Sequence, residues 1–423
     1  MIIDSIVDFG IFGMWQRDKG VSKVQNNEKC CRGCLGKNLS KILDLGLMPS
    51  AGGFLSSSAD FEAEQTYPLP IYVCKDCALV QILNPIDPNI LFKDYAFSSS
   101  TVGPLVKHFE NYASWIYKRY APNSVLEFGC NDGVLLKPLG SLGIKAAGID
   151  ISENITQMAR DDGLNVETGF FNIDSSLSLI KKNGKFDVVT GSNAFAHNED
   201  PGKILEASNI ALKDDGLLML ECMYAGDLLE QLQWDTLYHE HLTFYSLGTL
   251  ETLLNRYGFF IFDAVRLPMH GGCLRIVASK SPRAKSADYE HIAKYEIDTK
   301  INESATWNDF GAGIARKIKI VGDALFELSK TKKIWAYGAA GKATMWLNAC
   351  NMNYLGAIID ESPLRAGKFM PGTHTPIVFP KEMRENPPDY IFITAWNYAD
   401  VIKEKESWFD GVWVTPLPDM KFF

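Results

Sequence analysis

The sequence predicts an α/β protein of three units: a small cysteine-bearing unit, a doubly wound and largely parallel sheet, and a second, smaller α/β unit. Three observations predict it. Four of the nine cysteines stand as two Cys-x-x-Cys pairs, Cys31/Cys34 and Cys74/Cys77,. Between 121 and 280, strand-like and helix-like stretches alternate: SVLEFGC, VLLKPLGSLG, AAGID, FDVVTGSN, PGKILEASNIAL and GLLMLECM. This is a βαβ rhythm. The rhythm resumes beyond 330 in KIWAYGAAGKATMWLNAC, LGAIIDESP and PDYIFITAWNY. A chain of 423 residues is also too long for one hydrophobic core,.

In chain order, the expected boundaries are 1–28, 29–95, 96–283 and 284–423. The first segment, MIIDSIVDFGIFGMW onward, is apolar in patches. It carries Asp4 and Asp8 where a secretory leader would carry positive charge, and no cleavage pattern follows,. It reads as an extension, a helix that docks. A bridging helix is expected over 104–120, and a charged helical connector over 285–330. No apolar run reaches membrane-spanning length. The composition, 46% hydrophobic and 22% charged, is that of an ordinary globular chain,. A net charge of -9 opposes binding to nucleic acid or anionic membrane,. A cytoplasmic protein is expected, monomeric or weakly oligomeric.

In a cytosolic chain, paired Cys-x-x-Cys turns point to metal or redox work rather than disulfides. Cys31, Cys34, Cys74 and Cys77 offer four thiolates in two tight turns, which suits tetrahedral Zn²⁺. With all four ligands from protein the site is closed, so its role is structural.

SVLEFGCNDGVLL places Glu127, Gly129, Asn131, Asp132 and Gly133 where a strand turns into a helix. Ligands bind at that end of a parallel sheet. Glycines let the backbone approach closely, and the helix start offers free N–H groups. The carboxylates would repel a pyrophosphate and favour a cationic ligand. Asp150 ends the next strand, where an acid can bind both ribose hydroxyls. S-adenosylmethionine fits: a sulfonium, an ammonium and a ribose. Asn193, past the fourth strand, would lie against it. In the last unit, AYGAAGKATMW offers small residues, a helix start and then Lys342, the pattern of a phosphate-holding turn,. Gly338 and Ala339 belong to it, and Asp360 ends the following strand. Lys368 and His374 are candidate diphosphate partners. The paired glycines after His270 suggest a backbone approached by ligand, with Arg275 close by, and His197 follows the cofactor loop.

The stretches CRGC with VCKDCALVQ, EFGCNDGVLL, SNAFAHNED, YHEHLTFYSLGTL, HGGCLRI, YGAAGKATMWLN, and GKFMPGTHTPI with DYIFITAWNY follow one another over roughly 30–405. In this order they resemble the three-domain sugar C-methyltransferases, which act on nucleotide-activated 4-keto deoxy sugars in deoxysugar biosynthesis. The resemblance implies a zinc-binding N-terminal domain, a central class I SAM-methyltransferase Rossmann-like domain and a C-terminal Rossmann-like α/β domain that holds the sugar nucleotide. It implies a dTDP- or GDP-linked 4-keto-deoxyhexose as substrate, with methylation at C3. Cys130 and Cys273 stand where small residues such as serine are usual, and Phe97 stands where a second tyrosine often appears.

Carbon methylation needs a carbon nucleophile, most simply an enolate formed by removing a proton beside a ketone. That requires a base of suitable pKa and a donor for the enolate oxygen. The resemblance assigns this work to Tyr238, Glu240 and His241, with His241 as base. His239 is expected to be structural. Tyr95 is the donor expected to reach in from the first unit. The alternatives are a sugar O- or N-methyltransferase and a non-catalytic zinc-containing binding protein with a degenerate methyltransferase core. An NAD oxidoreductase is opposed by the acidic first turn. Metal binding by HEH would need further ligands, and H-E-x-x-H is absent.

Overall fold

Two cysteine turns bracket the first sheet. In the computed structural model, which describes residues 29–92, 95 and 97–423, strand β1 (Leu39–Pro49) pairs antiparallel with β2 (Thr66–Cys74). β2 pairs antiparallel with β3 (Val80–Ile82). Along β2, Leu69, Ile71 and Val73 are buried at every second position, the period of a strand with one face in a core,. The extension and docking helix expected over 1–28 lie outside the described residues.

The four cysteine sulfurs lie within 4.8 Å of one another. Cys31 Sγ is 3.5 Å from Cys77 Sγ, and Cys34 Sγ is 3.6 Å from Cys74 Sγ. A tetrahedron with ~2.3 Å Zn–S bonds has edges of ~3.8 Å, so the donor set fits zinc. The N–H groups of Gly33 and Gly36 point at Cys31 and Cys34. The buried Gln81 donates to Cys31 Sγ at 3.2 Å and accepts from the Arg32 N–H at 2.9 Å.

The central sheet contains β4 (Ser124–Phe128), β5 (Lys145–Asp150), β6 (Val166–Thr168), β7 (Phe186–Ser192) and β8 (Leu212–Met223). After β8 comes β9 (Thr243–Phe244), which leaves this sheet. β10 (Phe260–Leu267) and β11 (Cys273–Ser279) return to it. The order is β10-β11-β8-β7-β4-β5-β6, parallel except that β11 is antiparallel to both neighbours. Helices cover both faces, so every residue of β4 is buried, with Val125, Leu126 and Phe128 in the core,. The strand order reverses between β4 and β7, which opens a crevice at their carboxyl ends.

β9 instead adds to the first sheet. It pairs antiparallel with β3, Val80 opposite Phe244 and Gln81 opposite Thr243. Nothing in the local sequence signals this pairing.

The last sheet is smaller: β12 (Ile334–Tyr337), β13 (Ile358–Ile359), β14 (Ile377–Val378), β15 (Tyr390–Ile393), β16 (Val412–Thr415) and β17 (Lys421–Phe422). Its order is β14-β13-β12-β15-β16-β17, with only β17 antiparallel. The reversal falls between β12 and β15, so this sheet also opens a crevice.

The bridging helix runs Gly103–Tyr120, and the connector forms helices Ala287–Asp298 and Ser304–Ser329. The last of these buries Trp307, Phe310, Ile314, Ile318, Val321 and Leu325. Their spacing of three and four makes one apolar stripe. The stripe joins Leu45 and Ile71 of the first sheet to Trp346 and Phe392 of the last unit in one core. Among the described residues, no helix is long and apolar enough to cross a membrane.

Two outcomes are expected. A Cβ at Gly311 would run into the Ile42 carbonyl oxygen of β1. Gly311→Ala should therefore cost about 1–3 kcal/mol and lower the thermal midpoint; an unchanged midpoint would show that the helix and β1 are not closely packed. Cys34→Ser should lose bound zinc by elemental analysis and melt at lower temperature, because metal binding is folding energy here. A full zinc content in that variant would exclude Cys34 as a ligand.

Candidate active site

Both crevices open into a single cavity of about 680 Å³. The central sheet supplies Gly129 and Asn131 after β4, Asp150 at the end of β5 and Asn193 after β7. Gly129 has φ +65°, and a Cβ there would strike Ala194, so the turn requires glycine,. Asp150 accepts the Asn131 N–H through Oδ2 and the Ser152 N–H through Oδ1, both at 3.0 Å. Burial raises its pKa against those hydrogen bonds.

Glu127 and Asp132 stand behind this wall rather than on it. Glu127 is buried with Oε2 unpartnered, and burial holds its carboxyl well above the usual range, with Glu221, Asp150 and Asp132 adding to the effect. Asp132 accepts from Ser98 Oγ at 2.5 Å and from the Ser100 N–H at 3.0 Å, while its Oδ1 has no partner. Two orphaned acid oxygens beside Asp150 make the turn a place for a cation. The donor set fits the sulfonium and ammonium of S-adenosylmethionine. Gly133 faces Leu164 and does not line the cavity.

Between the two crevices lies the loop that carries Tyr238, Glu240 and His241, and all three line the cavity. It forms a tight turn, with the His241 N–H bonded to the Tyr238 carbonyl at 2.9 Å. The rings of Tyr238 and His241 therefore meet, 4.0 Å between centroids. His241 Nδ1 is 2.7 Å from the Thr236 carbonyl oxygen. A carbonyl can only accept, so Nδ1 carries the proton and Nε2 the lone pair. Burial holds the His241 pKa well below the ordinary histidine value, with neighbouring His197 adding to it. His197 lies 5.1 Å away, ring to ring, and burial brings its own pKa down to about 4.

Glu240 is 6% exposed, and burial pushes its carboxyl up to about 7. Tyr95 lines the same cavity and donates its hydroxyl to Glu240 Oε2 at 3.4 Å. Burial and the nearby Glu240 raise the pKa of both Tyr95 and Tyr238, so both are proton donors. His239 points away, with Nε2 3.4 Å from the Pro68 carbonyl in β2, as a structural residue would.

The last sheet contributes Gly338, Ala340, Gly341, Lys342 and Asp360. Asp360 accepts the Ala339 N–H at 2.8 Å and the Ser362 N–H at 2.8 Å, an arrangement parallel to that of Asp150. Ala339 itself is fully buried behind the wall, and Ala340 takes the place expected for it. His270, at φ 54°, also lines the cavity.

Three residues expected at the substrate do not line the cavity. Arg275 is buried in β11, ion-paired to Glu221 and stacked 3.7 Å above the Tyr112 ring, so its charge is spent inside the sheet. His374 is stacked on Phe61 at 3.8 Å and bonded to Glu64 at 2.8 Å, which clasps the last unit to the first. Lys368 lies in the same clasp segment, beside the Leu55–Phe369 bridge, and off the cavity wall. Arg365, which the sequence reading missed, does line the cavity, 3.3 Å from Asp360 and bonded to the Ala339 carbonyl. An arginine five residues past a strand-ending acid carries no spacing signal of its own. Asn397 was missed likewise; it accepts from Lys342 Nζ at 3.4 Å.

Comparison with known proteins agrees with this organisation. Residues 31–92 match a zinc binding domain family, residues 107–262 the "Methyltransferase domain" family, and residues 268–418 the "C-methyltransferase C-terminal domain" family. C-methyltransferase NovU of Streptomyces niveus is 29% identical over 401 residues, 92% of this chain and 95% of that protein. The ubiquinone biosynthesis O-methyltransferase of Colwellia psychrerythraea is 27% identical over 101 residues, 23% of this chain and 41% of that protein. The solved magnesium protoporphyrin IX methyltransferase (ChlM) of Synechocystis PCC 6803 covers 42% of this chain and 83% of its own, at 18% identity and a TM-score of 0.33. S-adenosylmethionine and zinc are the cofactors of this fold and donor set. Three family matches in this order, with one C-methyltransferase similar along almost its whole length, give the chain the layout of a zinc-binding domain, a methyltransferase domain and a C-methyltransferase C-terminal domain.

Proposed function

We propose that the protein methylates C3 of a nucleotide-linked 4-keto-deoxyhexose through an enolate. The observation that carries this reading is the shared cavity. An acid-lined cofactor turn and a lysine-bearing Gly turn open into one space, with a histidine base and two tyrosine donors between them. When bound, S-adenosylmethionine supplies an electrophilic methyl group.

In this reading the Gly338–Lys342 turn and Arg365 hold the diphosphate, with Asp360 at the ribose. This orients the sugar across the central loop. His241 Nε2 removes the C3 proton, since its Nδ1 is committed to Thr236. Tyr95 or Tyr238 donates to the 4-keto oxygen as charge develops there. Glu240 orients Tyr95 or a sugar hydroxyl, and His197 and His270 bound the sugar's space. Burial of most of the loop lowers the local dielectric, which strengthens each of these contacts,.

Three measurements test the reading. Incubation with S-adenosylmethionine and a dTDP- or GDP-4-keto-6-deoxyhexose should give a product heavier by one methylene, with the new carbon on C3. Methyl on oxygen or nitrogen, retained after the ketone is reduced, would overturn it in favour of an O- or N-methyltransferase. His241→Asn should lower the rate on the order of 10²–10⁴-fold and leave S-adenosylmethionine binding intact. The pH profile decides the base. His241 stays in its proton-accepting form until the pH falls well below its ordinary value. The rate should therefore hold from about pH 8 down to about 6.5. An acid limb centred near 7 would assign the base to Glu240, whose carboxyl is pushed up to about 7.

A further inference from the structure

Among the ties between the loop that carries His241 and the last unit, one is a polar side chain outside the cavity. Asp235 is fully buried. Its Oδ2 accepts the indole N–H of Trp346 at 2.9 Å and that of Trp396 at 2.7 Å. Its Oδ1 has no partner. A buried carboxylate with one unsatisfied oxygen costs stability, and an apolar residue of similar size would fill the space more cheaply. Both indoles belong to the structure that holds the Gly turn. Trp346 lies on the helix Gly341–Ala349 that begins at that turn. The Trp396 ring lies beneath Lys342, with Nζ 4.4 Å from its centroid. On the other side, the residue after Asp235 is Thr236, whose carbonyl fixes the tautomer of His241. The same loop rests Tyr238 on Gly341, where a Cβ would stand 2.7 Å from the ring.

We infer that Asp235 is a positioning residue: it sets the register between the turn that holds the substrate's diphosphate and the histidine that removes the proton. The inference rests on the reading of His241 and Lys342 given above. The diphosphate anchors the sugar at one end, and the base meets it at the other. The hydrogen bonds that span the two come from one carboxylate oxygen shared by two indoles. A displacement of about 1 Å there costs on the order of 100-fold in rate without altering binding of the separate ligands.

The test follows deuterium wash-in at C3 of a dTDP-4-keto-6-deoxyhexose in the absence of methyl donor, which isolates the proton step. Asp235→Ala should slow wash-in about 100-fold. Its S-adenosylmethionine affinity by calorimetry should stay near wild type, and the effect should fall on kcat rather than on KM for the sugar nucleotide. Asp235→Asn retains an acceptor oxygen and should restore most of the rate with an unshifted pH profile. Trp396→Phe keeps the ring under Lys342 but removes one N–H; it should slow wash-in about 10-fold, and it serves as the deciding variant if the alanine protein does not fold. Wild-type wash-in in Asp235→Ala or in Trp396→Phe would overturn the assignment of Asp235 alone. So would an equal loss of cofactor affinity and rate, which marks a merely structural role. Absence of both wash-in and methylation in the wild-type protein would overturn the functional reading and the inference with it.

Discussion

Two short strands, β3 and β9, hold the site in place. β9 starts two residues after His241, and its partner lies three residues past the last zinc-binding turn. The segment between them is clamped on both sides. The Ile82 N–H bonds to the Leu242 carbonyl, and the Leu242 N–H bonds to the Ala196 carbonyl, each at 2.9 Å. The loop of Tyr238, Glu240 and His241 is thus caught between the cysteine sheet and the loop of His197. Gln81 extends the clamp to the sulfur of Cys31, and Arg32 extends it to the carbonyls of Ile82 and Glu199. A structural metal centre and a reactive loop are here parts of one hydrogen-bonded unit.

The site that results is poor in mobile charge. Burial shifts its groups toward neutral forms: the histidines downward, the tyrosines upward, and Glu240 to about 7. Asp150 lines the cavity on the cofactor side with Glu127 and Asp132 behind it, and Lys342, Arg365 and Asp360 line the other side. Charge that develops between the two sides is then unscreened by water, so a well-placed hydroxyl or imidazole has a large effect.

The fold was largely legible in the sequence because its elements are locally encoded. The strand-turn-helix units at Gly129 and Gly338, the strand-ending acids Asp150 and Asp360, and the cysteine pairs each rest on adjacent residues. Their periodicity and punctuation are visible without a structure. What could not be read was pairing at a distance. β9 is two residues long, and its partner strand is remote in sequence, so it has no period to detect. The same limit explains the polar residues. Arg275 and His374 were plausible ligand groups by type, but Glu221, Tyr112, Phe61 and Glu64 satisfy them internally. Asp235 and Arg365 carried no motif, and only their three-dimensional neighbours distinguish them.

The pairing of β3 with β9 also bears on how the chain is made. Synthesis proceeds from the N-terminus, and domains fold as they emerge. The cysteine turns and β1 to β3 leave the ribosome long before Thr243 and Phe244. Until then the outer edge of β3 is a row of unpaired backbone groups, the kind of edge that recruits other chains. At only three residues, β3 is a short strand, which limits that hazard while it lasts,. The first sheet begins early and is completed only after most of the central sheet exists, so nascent chains that stall in between would carry an open edge beside a finished metal site.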